Sequence, residues 1–257
     1  MKDKLGDVIK ELERKAEGYP SGDTPIIIRL DGKNFSKWTK GLDKPYDLSL
    51  SSIMKEVTET LVDYTNASVG YTQSDEITLV INRNAGGGEL FFSGRYQKLS
   101  SVLASLATYK FNELVRETIP QKKGKMALFD ARTFEVPDDE MAIKVLEWRA
   151  EDCRRNSISC LAQSVFSHKQ LQKKNCGEMK RMLREVDKNW DDSPEFFRNG
   201  YYVKRKKVTR KFTTEEMDSL PAKHFARQNP DLEFERSIIE VSTESILDSK
   251  NKIGFIK

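Results

Sequence analysis

The sequence predicts an α+β fold of the ferredoxin-like type, with strands and helices in the order βαββαβ over its first half. The first observation is that some segments repeat apolar residues at helical spacing, whereas others form short apolar runs between turn residues. The second is that these segments follow one another in an order in which two helices can cover one face of an antiparallel sheet.

The elements are predicted in chain order. A helix over 3–17 precedes the first strand, and Asp47 suits the N-cap of the next helix because its carboxylate can accept a backbone N–H. Strands are predicted over 24–31, 67–73, 77–82 and 126–136, and helices over 47–64 and 94–117, with a flexible loop at 84–88. Later elements are helices over 138–170 and 175–186, a basic hairpin or extended segment over 200–212, and a strand over 232–241.

The pattern changes after Pro137, which predicts two regions. Residues 1–136 form a catalytic domain, and residues 137–257 form a mainly helical and basic region packed on it. Basic clusters concentrate in the second region, and several separate clusters favour a partner with a phosphate backbone.

The composition limits the classes of protein to which this chain could belong. The chain has 257 residues with a net charge of +4, and it has no apolar run near the roughly 18 residues that a membrane span needs. Its charged N-terminus does not have the form of a signal peptide. Three cysteines without paired spacing indicate reduced thiols, and we therefore expect a cytoplasmic protein without a membrane partner.

Two short acidic motifs are the main functional signal. Asp31 and Gly32 end an apolar run, and Ser74, Asp75 and Glu76 lie between two others. In the predicted topology the first and third strands are neighbours at the sheet centre, so the two motifs meet. Mg²⁺ takes one or two carboxylates together with substrate phosphates, and two-metal sites bridge the attacking and leaving oxygens. Asp31 and Asp75 could each contact two ions, with the Gly32 carbonyl and Glu76 as further ligands or supports.

Other residues near these motifs suit a triphosphate. Gly32 lets the backbone approach a phosphate closely, and successive amides can form an anion-binding nest. Arg95 and Lys98 share one helix face and could neutralise phosphate charge. The residues of the predicted nest are Lys33, Asn34, Phe35 and Ser36. Carboxylates, nest and cations together predict nucleotidyl transfer.

At these residues the sequence resembles the tRNA-histidine guanylyltransferase superfamily, in particular its guanylyltransferase-like 3′–5′ RNA polymerases. The resemblance spans roughly residues 25–165, and its order and spacing are specific. Its motifs are residues 29–35, 44–47, 73–76, 95–98 with 104–105, and 148–153.

The resemblance implies a polymerase-palm-like domain that adds nucleotides to the 5′ end of tRNA. ATP or GTP first activates the 5′-monophosphate, and the 3′-hydroxyl of an incoming nucleotide then attacks it. By position, Asp31, Gly32 and Asp75 would hold two Mg²⁺ ions with Glu76 in support, and Asp47 would touch the activating nucleotide. The triphosphate would be held by Asn34, Phe35, Ser74, Arg95, Lys98 and Ser105. Members of the family are generally homotetramers.

One segment departs from the eukaryotic guanylyltransferases. These carry a His-Ile-Asn-Asn-Leu-Tyr-Asn motif tied to tRNA-histidine recognition, whereas residues 154–160 here retain only Asn156 from it. The departure favours template-dependent repair of truncated tRNA 5′ ends; the alternative is addition of the extra 5′ guanosine to tRNA-histidine. The candidate tRNA contacts are Arg154, Arg155, Asn156, Lys204, Arg205, Lys206 and Lys207.

Two further classes remain as rivals. A nucleotide cyclase would need no tRNA, and the basic second half argues against it. An RNA-binding module of ferredoxin-like topology usually stacks bases on aromatic residues of its central strands, and the predicted central strands here are aliphatic.

Overall fold

A six-stranded antiparallel sheet forms the centre of the computed structural model, which describes residues 4–82, 90–229 and 231–256. The strands are β1 (Ile26–Gly32), β2 (Val69–Gln73), β3 (Glu76–Ile81), β4 (Phe129–Glu135), β5 (Tyr201–Lys211) and β6 (Glu233–Ser242). Their order in the sheet is β4-β1-β3-β2-β5-β6. The predicted loop at 84–88 lies outside the described residues.

The helices surround this sheet. They are α1 (Lys4–Ala16), α2 (Phe35–Trp38), α3 (Leu48–Thr65), α4 (Tyr96–Thr118), α5 (Asp139–Val165), α6 (His168–Leu171), α7 (Cys176–Arg184), α8 (Glu195–Asn199), α9 (Thr214–Ser219) and α10 (Phe225–Gln228). Short 3₁₀ turns lie at Phe91–Gly94, Pro120–Lys122, Trp190–Asp192 and Lys252–Phe255. No helix in the part of the chain that the structure describes is long and apolar enough to cross a membrane.

The predicted βαββαβ unit is confirmed. It comprises β1, α3, β2, β3, α4 and β4, and its strand order β4-β1-β3-β2 places the first and third strands at the centre of the unit. Asp47 caps α3 as predicted, because its carboxylate accepts the backbone N–H of Leu50 at 2.9 Å. The helix ends at Asn66, whose φ of 55° lies in the left-handed region that stops a helix.

Different helices pack on the two faces of the sheet. On the α3/α4 face, β1 buries Ile26, Ile28 and Leu30 against α3 and α4. On the other face, which we call the α5 face, Ile27 packs with residues of α5 such as Leu146. Because β1 is buried on both faces, it reads in the sequence as a continuous apolar run rather than an alternating one.

The second half of the chain continues the same sheet. β5 pairs with β2, and α5 covers the face that α3 and α4 leave open. The predicted division at residue 136 therefore separates segments that share one sheet, and it stays a prediction.

The basic segment near residue 200 is one long strand rather than a complete hairpin. β5 pairs with β6 from Tyr202 opposite Ser242 to Lys211 opposite Glu233. The chain between the two strands forms α9 and α10. We call the pair β5 and β6 the C-terminal ribbon.

We expect Gly32→Ala to lower the free energy of unfolding by about 1–3 kcal/mol, as overpacking of a core does. A Cβ at Gly32 would lie 2.2 Å from Cδ2 of Phe35, whose ring is fixed among three other aromatic rings with centroids 5.3 Å away. Urea denaturation measures the change. Gly22→Ala is the control because a Cβ there meets no atom within 4 Å, and equal stability of the two variants would contradict the packing argument.

Candidate active site

Three carboxylates lie side by side on the α5 face, at the end of β1. Asp31 is opposite Glu76 of β3 on one side and opposite Asp130 of β4 on the other. Facing residues of antiparallel strands have Cβ atoms about 4.5–5.5 Å apart, and like charges there are destabilising. We call these three residues the carboxylate row. Carboxylates in such a row repel one another unless cationic groups lie beside them.

Asp130 was not predicted from the sequence. It alternates with Phe129 and Ala131, which face α3 and α4, so it points to the same face as Asp31. The alternation was visible in the sequence, but the register of β4 against β1 comes only from the fold. Asp130 ion-pairs with Arg132 at 3.8 Å, which offsets part of its charge.

Asp75 occupies the tip of the β2–β3 hairpin, beside the carboxylate row. Ser74 turns the chain with a φ of 52°, and its hydroxyl donates to Oδ1 of Asp75 at 3.0 Å. The Asp75 carbonyl accepts the backbone N–H of Gly32 at 3.1 Å, which joins the hairpin tip to the end of β1. Burial raises the pKa of the Asp75 carboxyl, and the charge of Asp31 raises it further against the lowering effect of Ser74. The two predicted metal-binding motifs therefore meet in space.

Glu76 is held by a buried arginine of α5. The guanidinium of Arg149 donates from Nε to Oε1 at 2.5 Å and from Nη2 to Oε2 at 2.8 Å. Burial raises the pKa of Glu76, whereas Arg149 and, more weakly, Arg29 lower it. Arg149 also donates to Asp152 at 2.8 Å and lies over the ring of Trp148. This geometry suits the supporting role predicted for Glu76.

The carboxylates suit Mg²⁺, which takes few ligands from the protein, better than a metal ion that is coordinated by protein side chains alone. Within the described ranges, no group of three or more His, Cys, Asp or Glu side chains is arranged to hold a metal ion. Asp31 and Asp75 would provide two oxygen ligands, and burial raises the pKa of Asp75, which disfavours its ionised form. Mg²⁺ keeps waters and takes its remaining ligands from substrate phosphates.

The predicted nest at residues 33–36 is only partly open. The Lys33 amide donates to the Leu128 carbonyl at 2.8 Å, and the Phe35 ring lies in the aromatic core. The Phe35 ring also fills the space beside Gly32 that the sequence assigned to a phosphate. A phosphate in this loop would meet the exposed residues Asn34 and Ser36 rather than the Phe35 side chain. Asn34 has a φ of 56°, which starts the tight turn into α2.

A cavity of about 290 Å³ that is partly open to solvent lies beside the hairpin tip; we call it the enclosed cavity because its walls come from several elements. Asp47, Ser74 and Asn156 line it together, so the structure gathers three predicted site residues from distant parts of the chain. Its size is near the lower end of small-molecule sites, which run from about 300 to 1,000 Å³. The aromatic residues of its wall are Tyr46, Phe196, Phe197 and Tyr201. Flat apolar walls with a few polar groups suit a nucleobase.

Arg95 and Lys98 lie elsewhere, in an open cavity of about 840 Å³ at the start of α4. The structure does not bring them beside Asp31 within one chain. β3 runs away from the hairpin tip, so α4 begins at the opposite end of the sheet, about 17 Å away along β1 at about 3.3 Å per residue. This cavity also lies on the α3/α4 face, whereas Asp31 is on the α5 face, and Ser105 is not among the described residues that line it.

The predicted RNA contacts on α5 have partners within the chain. Arg154 ion-pairs with Asp248, and Arg155 donates to Asp152 at 3.0 Å. Asn156 donates to the same carboxylate at 3.2 Å while it lines the enclosed cavity. Contact of these three residues with RNA stays a prediction.

The predicted tRNA contacts on the C-terminal ribbon also interact with other residues of the same chain. Arg205 donates to the Asp63 carboxylate at 2.9 Å and to carbonyls at the end of α3, which fastens the ribbon to that helix. Lys204 lies over the Phe255 ring, and burial lowers its pKa. Lys206 and Lys207 ion-pair with acidic residues of β6 at 3.6 and 3.0 Å. Their binding of tRNA stays a prediction.

A palm-like sheet with two carboxylates meeting at a strand end and a hairpin tip, beside a cavity for a nucleobase, is the arrangement of a nucleotidyltransferase. The comparisons with known proteins agree. The family model described as tRNAHis guanylyltransferase matches residues 6–137, which is more than half of the chain. The chain therefore belongs to the tRNAHis guanylyltransferase family.

Relatives and solved structures extend this match along the chain. A bacterial tRNA(His) guanylyltransferase-like protein solved in complex with ATP is 30% identical, covers 98% of this chain and 99% of its own, and superposes with a TM-score of 0.80. A bacterial protein of the same description in complex with GTP is 27% identical with a TM-score of 0.76, over 99% of both chains. The tRNA(His) guanylyltransferase of Schizosaccharomyces pombe is 28% identical over 76% of this chain and 77% of its own.

We expect Arg149→Met to lower the free energy of unfolding by about 3–5 kcal/mol. It would leave the Glu76 carboxylate buried without its partner, and side chains 8% and 11% exposed have little water to replace it. The double variant Arg149→Met/Glu76→Gln should recover part of the loss because it removes the buried charge. Chemical denaturation of the three proteins measures both effects. A double variant no more stable than Arg149→Met would contradict the pairing.

Asp75→Asn should raise the melting temperature by about 2–4 °C at neutral pH without divalent cations, which for this size corresponds to about 1 kcal/mol. The raised pKa means that the folded state disfavours the ionised carboxylate; this cost is complete above the raised pKa and vanishes below the usual aspartate pKa. The gain should therefore shrink as the pH falls through the raised pKa and should be lost once the pH is below the usual aspartate value. Thermal melts across pH measure it, with the exposed Asp218→Asn as the control. A gain that does not depend on pH would contradict this account.

Proposed function

We propose that this chain adds nucleotides to the 5′ end of tRNA in the 3′–5′ direction, with the opposite strand as template, and so repairs truncated 5′ ends. The observation that supports this most is the meeting of Asp31 and Asp75 beside the enclosed cavity. Membership of the tRNAHis guanylyltransferase family, and the likeness over nearly the whole chain to a bacterial relative solved with ATP, support the substrate class.

The proposed reaction has two steps. The RNA 5′-monophosphate attacks the α-phosphorus of ATP, forms a 5′–5′ pyrophosphate link to AMP and releases pyrophosphate. The 3′-hydroxyl of the incoming nucleotide then attacks the RNA 5′-phosphorus, loses its proton, forms the phosphodiester bond and releases AMP. GTP can replace ATP as the activating nucleotide. Such chemistry depends mainly on positioning and on stabilising charge on the transferred phosphorus.

Different residues of this chain would bind the nucleobase, hold the metal ions and keep the site in position. The enclosed cavity would hold the base of the activating nucleotide between its aromatic walls, with Asp47 at its rim. Asp31 and Asp75 would hold two Mg²⁺ ions, which supply charge neutralisation for the triphosphate. Arg149 fixes Glu76 beside them, so that Glu76 keeps one position while substrates enter and leave.

The segment at 154–160 is proposed to set the choice of RNA. Asn156 reaches the enclosed cavity, whereas its neighbours Arg154 and Arg155 are bound to acidic residues of the same chain. Without the histidine of the eukaryotic motif, we favour selection by base pairing over selection of one tRNA. Addition of a single guanosine to full-length tRNA-histidine is the second candidate. A cytoplasmic location, expected from the unpaired cysteines, and a homotetramer, implied by the family resemblance, complete the proposal. The mass of the particle in solution checks the homotetramer.

The test is incorporation of labelled nucleotides into tRNA that lacks its first 5′ nucleotide, with ATP and Mg²⁺ present. We expect the added nucleotide to follow the templating base across a panel of tRNAs. Asp75→Ala should lower incorporation at least about a hundredfold, because loss of one transition-state charge contact commonly costs that much. Addition of EDTA should stop it.

Asp218→Ala is the matched control, since this aspartate is exposed and lies on the chain between the ribbon strands. Addition of guanosine alone, and only to full-length tRNA-histidine, would favour the second candidate. No incorporation by any of the proteins, or equal incorporation by wild type and Asp75→Ala, would overturn the proposed site.

A further inference from the structure

The segment after β1 and the segment before β4 each contain lysines and no acidic residue. Residues 33–40 hold Lys33, Lys37 and Lys40, and residues 122–125 hold Lys122, Lys123 and Lys125. All of them are exposed except Lys122, which is buried. We call the five exposed lysines the lysine patch. The sequence showed each cluster separately and gave no reason to join them.

The fold joins the two segments through Lys122. Its ammonium donates to the backbone carbonyls of Trp38 and Lys40, the second at 2.7 Å, and lies over the Trp38 ring. In return, the Trp38 indole N–H donates to the Lys125 carbonyl at 2.8 Å. These bonds hold the turn after α2 against the turn before β4. The exposed lysines of both segments therefore lie on one surface.

None of the five lysines makes an ion pair within the described residues, whereas Lys206, Lys207 and Lys211 of the C-terminal ribbon each have an acidic partner. Unpaired like charges repel one another, and a bound polyanion offsets this repulsion with its own negative charge. Binding also releases the counterions of the polyanion. The lysine patch is therefore a stronger electrostatic footprint than the ribbon.

The lysine patch adjoins the carboxylate row. Lys33 directly follows Gly32 at the end of β1, and its amide donates to the carbonyl of Leu128, which directly precedes β4, the strand whose second residue is Asp130. An extended anion on the patch would therefore pass the edge of the sheet at which Asp31 and Asp75 lie.

We propose that the lysine patch binds the sugar–phosphate backbone of the RNA substrate close to its reacting 5′ end. This inference rests on the proposed function, which brings that RNA end to the same edge of the sheet. Phosphate contacts of this kind position an RNA without reading its sequence. The patch thus suits an enzyme that takes its sequence information from a template strand.

The test compares two triple variants. Lys37→Gln/Lys40→Gln/Lys125→Gln removes three charges of the patch and leaves Lys122 and Lys33 in place. Lys169→Gln/Lys188→Gln/Lys250→Gln removes three exposed lysines from elsewhere on the surface. Binding of 5′-truncated tRNA, and of a hairpin carrying only its acceptor stem, is measured across salt concentrations. ATP binding and thermal melts report on the nucleotide site and on folding.

We expect the patch variant to bind both RNAs about tenfold to a hundredfold more weakly near 0.1 M salt. The slope of log K against log salt should fall by about 2 to 3, since each lost phosphate contact contributes about 0.7–0.9. The control variant should match wild type, and ATP binding should be equal in all three proteins. Loss of ATP binding along with RNA binding would assign the patch to the triphosphate and overturn the proposal.

Equal RNA binding by the two triple variants would also overturn it, as would a loss of binding to the truncated tRNA that leaves binding to the acceptor-stem hairpin unchanged. These failures are distinguishable from failure of the proposed function, which is indicated if the wild-type protein neither binds tRNA nor extends it.

Discussion

The register of β1 between β3 and β4 is the constraint on which the site depends. This register places Asp31 opposite both Glu76 and Asp130, and the bond from Gly32 to the Asp75 carbonyl brings the hairpin tip to the same edge. A slip of one residue would turn Asp31 to the α3/α4 face and move Leu30 from that face to the α5 face. The apolar residues on both faces of β1 prevent that slip, so the core fixes the position of charges that by themselves oppose folding.

Residues in the second half of the chain stabilise the carboxylates that lie close together in the first half. Arg149 of α5 is bound to Glu76 from the face that α3 and α4 do not cover, and Asp152 holds the arginine in turn. The same helix supplies Asn156 to the wall of the enclosed cavity. α5 therefore links the carboxylate row to the cavity. A palm-like sheet without it would leave Glu76 and one wall of the cavity without support.

The basic residues of this protein indicate an RNA-binding surface only once their ion pairs with acidic residues are taken into account. By sequence, the run at residues 204–207 is the strongest basic signal, yet in the fold its members face acidic residues, an aromatic ring or the end of α3. The lysines at 33–40 and 122–125 are less conspicuous in the sequence and make no ion pair in the part of the chain that the structure describes. An RNA surface is better sought where cations remain uncompensated than where they are most frequent.

The sequence alone determined the βαββαβ order, the N-cap at Asp47 and the meeting of Asp31 with Asp75, because apolar periodicity and turn residues act locally and the topology then follows from few rules. Its element ends differed by a few residues: for example, β4 starts at Phe129 rather than near 126, directly after Leu128, whose carbonyl accepts the Lys33 amide. Only the tertiary structure decided the position of Asp130 beside Asp31, the burial of Arg149 beside Glu76, the ring of Phe35 beside Gly32, and the separation of Arg95 and Lys98 from the carboxylates. Each of these depends on which strands are neighbours and which way a helix runs between them, and that information comes from contacts between residues far apart in the chain.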